Sequence, residues 1–179
     1  MTEQGVPAFA RDGSRIRIRQ LHRDDRELWQ RGFEHMGAET RYRRFLAAMP
    51  RTSSQMVRWM TELDHHDRDA IGAVDDETGE GIGVARYVRD PNRPHVAEVA
   101  LGIVDEWQGR GVGTLLLGAL CGRAREEGIT TFTALMLATN REMMDVLKRL
   151  GPVRIVDREA GTVEVEVCNP AAPPLPPEG

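Results

Sequence analysis

Residues 104–116 read VDEWQGRGVGTLL, the apolar end of a strand that runs through a glycine-punctuated loop at residues 108–114 into a leucine-rich helix. Glycines at alternate positions, Gly109, Gly111 and Gly113, let the backbone take conformations that other residues resist, so successive N–H groups can converge on one anion. The helix behind the loop adds the positive end of its dipole. The stretch therefore reads as a phosphate cradle formed by Gln108, Gly109, Arg110, Gly111, Val112, Gly113 and Thr114. The plainer alternative is a tight strand-to-helix turn with no ligand.

Spacing narrows the choice of phosphate ligand. A Walker A loop needs GxxxxGK followed by Ser or Thr, and the chain has none. The dinucleotide fingerprint needs a glycine where Thr114 stands, and a carboxylate about twenty residues further on at the end of a second strand.

Working outward, strand signals lie at 15–19, where Arg and Ile alternate, and at 70–75, 81–89, 96–104, 130–138, 153–157 and 162–168. Helical spacing places Leu28, Trp29, Phe33 and Met36 on one face after a cap at Asp24 or Asp25, and a second helical stretch carries residues 41–46. Thr52 and Gln55 form a capping-box pattern ahead of a core stripe of Met56, Trp59, Met60 and Leu63. Val112, Leu115, Leu116, Ala119 and Leu120 mark the helix after the loop, and Met143, Val146, Leu147 and Leu150 mark the last one. Residues 1–14 read as a flexible start, 15–168 as a single domain, and the Pro-rich 169–179 as a disordered tail.

The 179 residues carry 28 acidic and 24 basic side chains, a net charge of -4, with no basic patch of the kind nucleic acid needs. Lys148 is the only lysine. Two cysteines, Cys121 and Cys168, do not make a disulfide framework, and reduced thiols are expected. No apolar leader and no run of about 18 apolar residues points to a membrane, so the expected setting is the cytoplasm. Nothing in the sequence bears on oligomeric state.

The pattern Gln-Gly-Arg-Gly-Val-Gly resembles the Q/R-x-x-G-x-G/A pyrophosphate loop of the GNAT superfamily, the acyl-coenzyme A-dependent N-acyltransferases. ETRYRRF, GVARYVRDP, AEVALGIVDEWQGRGVGTLLLGAL and ATNREMMDVLKRLG look more narrowly like the acetyltransferase domain of bacterial protein lysine acetyltransferases that modify acyl-CoA synthetases. The resemblance covers residues 15–168. It implies an α/β (α+β) fold, with a mixed, mostly antiparallel sheet of about seven strands flanked by helices and splayed at strands 4 and 5. It implies acetyl-CoA as cosubstrate, no metal, and a protein lysine as acceptor. Members of that group often fuse this domain to a ligand-binding or synthetase-like domain, which 179 residues do not accommodate beside it. The resemblance therefore leaves regulation by such a domain open.

Acyl transfer from a thioester needs a neutral amine, yet a lysine side chain has a pKa of about 10.4, so a general base is required. Glu98 is the lone charge in the apolar run VAEVALGIV, on the face shared with Val96, Ala100 and Gly102. Burial there would raise its pKa toward the working range. In the resembling enzymes a glutamate at the matching Ala-Glu-x-Ala position is the base; the alternative is a glutamate that reaches solvent or pairs with an arginine. Backbone N–H groups of Ile103 and Val104 match the superfamily's oxyanion donors, and a bulge at Gly102 is expected to open the slot for the pantetheine arm.

Asn140 opens the last helix, where it can act as a cap. The resemblance implies coenzyme A contact there and at Met143. Many superfamily members carry a tyrosine acid seven residues after this asparagine, and here that position is Leu147. Arg41, Tyr42, Arg43, Arg44 and Phe45 put three guanidinium groups and two rings on the segment that the resembling fold places beside the acceptor, or else form a solvated face with two aromatic anchors. Adjacent His65 and His66 do not make a metal site, because neighbours rarely converge on one ion. Two further functions stay open: acetylation of a small amine, such as a polyamine, amino acid or aminoglycoside, and a non-catalytic acyl-CoA sensor.

Overall fold

The computed structural model describes residues 5–168. Its strands are β1 (Val6–Phe9), β2 (Arg15–Gln20), β3 (Arg68–Asp75), β4 (Gly81–Asp90), β5 (Arg93–Ile103), β6 (Thr131–Leu137), β7 (Val153–Glu159) and β8 (Thr162–Cys168). Three helices, α1 (Arg26–Glu34), α2 (Ala38–Phe45) and α3 (Ser54–Thr61), separate β2 from β3; α4 (Val112–Glu126) links β5 to β6, and α5 (Arg141–Leu150) links β6 to β7. The strands form one mixed sheet in the order β1-β2-β3-β4-β5-β6-β8-β7. Every neighbouring pair is antiparallel except β5 and β6.

The sheet has eight strands rather than about seven, because residues 6–9 of the expected flexible start pair with β2 from Val6↔Ile18 to Phe9↔Arg15. Gly13, at φ +89°, turns the chain between them. The Pro-rich segment 169–179 lies outside the described residues. Among the described residues no helix is long and apolar enough to cross a membrane.

Alternation sorts the strand residues into two cores. One face carries Ala85, Tyr87, Ala97, Val99, Phe132 and Ala134 against α4 and α5. The other carries Ala70 and Val84 against Trp29, Phe33, Val57 and Met60 of α1 and α3. Ser53, not Thr52, caps α3 by accepting the Met56 N–H at 3.1 Å. Trp59 lies outside the expected stripe, half exposed, with the Arg86 guanidinium 3.8 Å from its ring centre. Asp25 does not cap α1 with its side chain, because its carboxylate is held by Arg19 at 2.5 and 2.7 Å.

Strands β5 and β6 pair only at Val96↔Thr131, Ala97↔Phe132 and Glu98↔Thr133. Beyond Glu98 they part. The expected bulge at Gly102 is not the cause, since the β4–β5 register runs unbroken from Gly83↔Ile103 to Arg89↔Ala97 and shifts only at Arg89/Asp90. Instead β6 stays with β8 along its whole length, from Thr131↔Cys168 to Leu137↔Thr162, while β5 stays with β4. The two halves of the twisted sheet therefore diverge. Gly102 serves closeness: a Cβ there would lie 3.1 Å from Met36 Cε and 3.6 Å from Arg44 Cδ.

Candidate active site

The diverging strands leave a cleft of about 310 Å³, lined by residues 99–103 of β5, the glycine loop, and one side of α5. Gly109 (φ +73°) and Gly111 (φ +85°) adopt left-handed backbone, and Gly111 caps the start of α4. Gly113 is already helical, and a Cβ there would come within 3.0 Å of Leu101 Cδ2. Thr114 and Leu115 are the first to donate back along the helix, both to the Gly111 carbonyl, at 3.1 and 3.3 Å. The N–H groups of Val112 and Gly113 stand before them at the open end of α4, where a helix offers donors to an anion.

Gln108 turns its side chain inward. Its Nε2 donates to Thr40 Oγ1 at 3.0 Å and to the Ile103 carbonyl at 3.1 Å, fixing α2, the end of β5 and the loop to one another. Val104 is buried, and its N–H donates to the Ile82 carbonyl at 3.0 Å, which removes it as an oxyanion donor. Antiparallel ladders alternate, so the N–H groups of Ile103, Leu101 and Val99 point away from β4, toward the cleft. Leu101 and Val99 were missed in the sequence because strand direction is invisible until one cross-strand bond is known.

Glu98 lies on the last β5–β6 rung, one residue short of the cleft lining, and it is exposed. The burial expected around it is not there: β5 and β6 part just beyond it, and nearby α2 packs over Gly102 instead. Two guanidiniums feel its charge. Burial pushes Arg44 down to about 10 and Arg86 down to about 9, the latter helped by the charges of Arg44 and Arg68, while Glu98 opposes both shifts. Arg44 Nε and Arg86 Nη2 are buried without hydrogen-bond partners among the described residues.

Asn140 caps α5, its Oδ1 accepting the Met143 N–H at 3.1 Å, and both residues line the cleft. Leu147 is fully buried in the core. Neither tyrosine replaces the missing acid: Tyr87 is buried with its hydroxyl donating to the His66 carbonyl at 3.1 Å, and Tyr42 is exposed outside the cleft lining.

Arg41 is not free for an acceptor. Its guanidinium donates to the carbonyls of Phe33, Glu34 and Pro50 at 3.2, 3.0 and 2.9 Å and stacks over the Phe33 ring, closing the end of α1. Phe45 is half buried against the same core. Arg43 and Arg44 are the residues of this segment that reach the cleft. His65 and His66 bond Asp69 and Glu127 at 2.9 and 2.5 Å, tying the loop before β3 to the end of α4.

The family model for the acetyltransferase (GNAT) domain matches residues 15–153. Acetyltransferase Pat of Mycolicibacterium smegmatis is 32% identical over 171 residues, which is 96% of this chain and 51% of that protein. An acetyltransferase of Pseudomonas aeruginosa is 29% identical over 153 residues, 84% of this chain and 82% of that one. The crystal structure of the GNAT domain of S. lividans Pat matches with a TM-score of 0.85 and 33% identity, covering 94% of this chain and 98% of that one. The chain thus spans about half the length of the Mycolicibacterium relative.

Proposed function

The chain belongs to the acetyltransferase (GNAT) domain family, and from that membership we propose that it transfers an acetyl group from acetyl-CoA directly to an amine, the side chain of a protein lysine. The observation that carries the reading is the cleft itself: the glycine loop and the start of α4 close one end, and Glu98 stands at the other, where β5 and β6 part.

Family members use acetyl-CoA, and the residues present fit it. Residues 109–113 offer backbone donors to the pyrophosphate, and Asn140 and Met143 flank the arm. Glu98 accepts the proton of the incoming ammonium, and the neutral amine attacks the thioester carbonyl. The cleft-facing N–H groups of Leu101 and Ile103 are the donors for the oxyanion. As the C–S bond breaks, the attacking nitrogen gives its remaining extra proton to water and the leaving thiolate takes one from water, leaving a neutral amide and a thiol, since no tyrosine lines the cleft.

A protein acceptor, rather than a small amine, is supported by the openness around Glu98. Trp59 and Leu135, both half exposed, lie on the same sheet face, and Arg44 and Arg86 make the surroundings cationic rather than acidic. An acyl-CoA synthetase is the target class that the likeness to Pat suggests. The test is release of coenzyme A from acetyl-CoA with a synthetase, and separately with a panel of polyamines, amino acids and aminoglycosides. Turnover with the synthetase alone is expected; turnover with a small amine alone overturns the protein acceptor, and tight binding without turnover makes the chain a sensor.

A further inference from the structure

The phosphate loop carries one basic side chain, Arg110, and it does not line the cleft. Its Nη1 donates to Asp12 Oδ2 at 3.0 Å, and its guanidinium lies 4.8 Å from the centre of the Trp107 ring. The same turn between β1 and β2 that supplies Asp12 brings Arg11 to the cleft. Arg11 donates its backbone N–H to the Arg110 carbonyl at 2.8 Å, and its side chain runs over Gly111: a Cβ built there would meet Arg11 Cγ and Nε at 3.1 Å. Among the described residues no hydrogen bond or ion pair engages the Arg11 guanidinium.

We infer that Arg11 is the cation that pairs the cosubstrate's pyrophosphate, so that the N-terminal hairpin is part of the binding site and sets its preference for phosphorylated acyl carriers. This rests on the acetyl-CoA reading above. The turn is braced for the task. Ala10 N–H donates to the Ser14 carbonyl at 2.9 Å, Gly13 N–H to the Ala10 carbonyl at 3.0 Å, and Ser14 N–H to Asp12 Oδ1 at 3.1 Å. Asp12 thereby works twice, shaping the turn with one oxygen and holding Arg110 aside with the other. The position of Arg11 over Gly111, the cap of α4, directs it to the pyrophosphate rather than to a phosphate further out.

The test measures dissociation constants by calorimetry for wild type, Arg11→Gln and Arg11→Lys with acetyl-CoA, acetyl-dephospho-CoA and acetyl-pantetheine. Arg11→Gln is expected to weaken the first two equally, by about tenfold, and to leave acetyl-pantetheine unchanged, with Arg11→Lys recovering part of the loss. A loss confined to acetyl-CoA would move the contact to the 3′-phosphate, and an equal loss on acetyl-pantetheine would make Arg11 a purely structural residue; either overturns the proposal, as does no loss. Failure of wild type to bind acetyl-CoA would instead sink the acetyltransferase reading itself.

Discussion

Glu98 and Thr133 face each other as the last paired residues of β5 and β6, and the strands separate immediately beyond them. This rung marks the inner end of the cleft, so the carboxylate stands where a sheet becomes a binding slot.

Replacing Glu98 by Gln keeps the shape of that rung and removes the proposed proton acceptor. Turnover is expected to fall by about 10²–10³-fold at neutral pH, with KM for acetyl-CoA unchanged, because Glu98 lies outside the cleft lining. Steady-state kinetics beside a thermal melt checks this. An unaltered kcat would remove Glu98 from the mechanism.

Gly109 and Gly111 separate two costs of a side chain in the loop. Gly109→Ala meets nothing within 4 Å and incurs only the left-handed backbone at φ +73°, about 1 kcal/mol of stability. Gly111→Ala incurs the same strain at φ +85° and must also displace Arg11 from 3.1 Å. Only the second is expected to raise KM for acetyl-CoA sharply, by about tenfold. Denaturant melts and kinetics of the two variants together decide it.

The Asp64 carboxyl is held down to about 2: burial alone would raise it, but the N–H groups of Arg68, His66 and Asp67 and the Arg68 guanidinium outweigh burial. Its folded pKa is therefore below the ordinary 3.8, so its contribution to stability is complete above about pH 5 and is lost as pH falls through about 4 to 2. Wild type is expected to exceed Asp64→Asn in stability at pH 7, with the gap closing near pH 2. Urea midpoints across that range test the sign.

Burial pushes the Cys121 thiol up to about 12, whereas Cys168 is exposed at the end of β8. Iodoacetamide at pH 8 is expected to add one adduct to the folded protein, at Cys168, and a second only after unfolding. Intact mass and peptide mapping read this directly, and rapid double labelling of folded protein would contradict the packing of α4.

What the sequence determined by itself is what short-range chemistry controls. The glycine loop and the helix behind it follow from backbone freedom and apolar spacing within a dozen residues, and the alternation in β2 puts Ile16 and Ile18 inside without outside help. The same locality made Asn140 legible as a cap. Tertiary structure alone decided which groups face the cleft. Arg41 and Arg44 are three residues apart in one helix, yet one closes the end of α1 and the other lines the cleft, a division set by where α1 packs. Val104 lost its donor to Ile82, and Glu98 gained solvent, because β5 follows β4 while β6 follows β8. Arg11 reached the loop across about a hundred residues of sequence, through a hairpin whose docking bonds join backbone and side-chain atoms that no periodicity records.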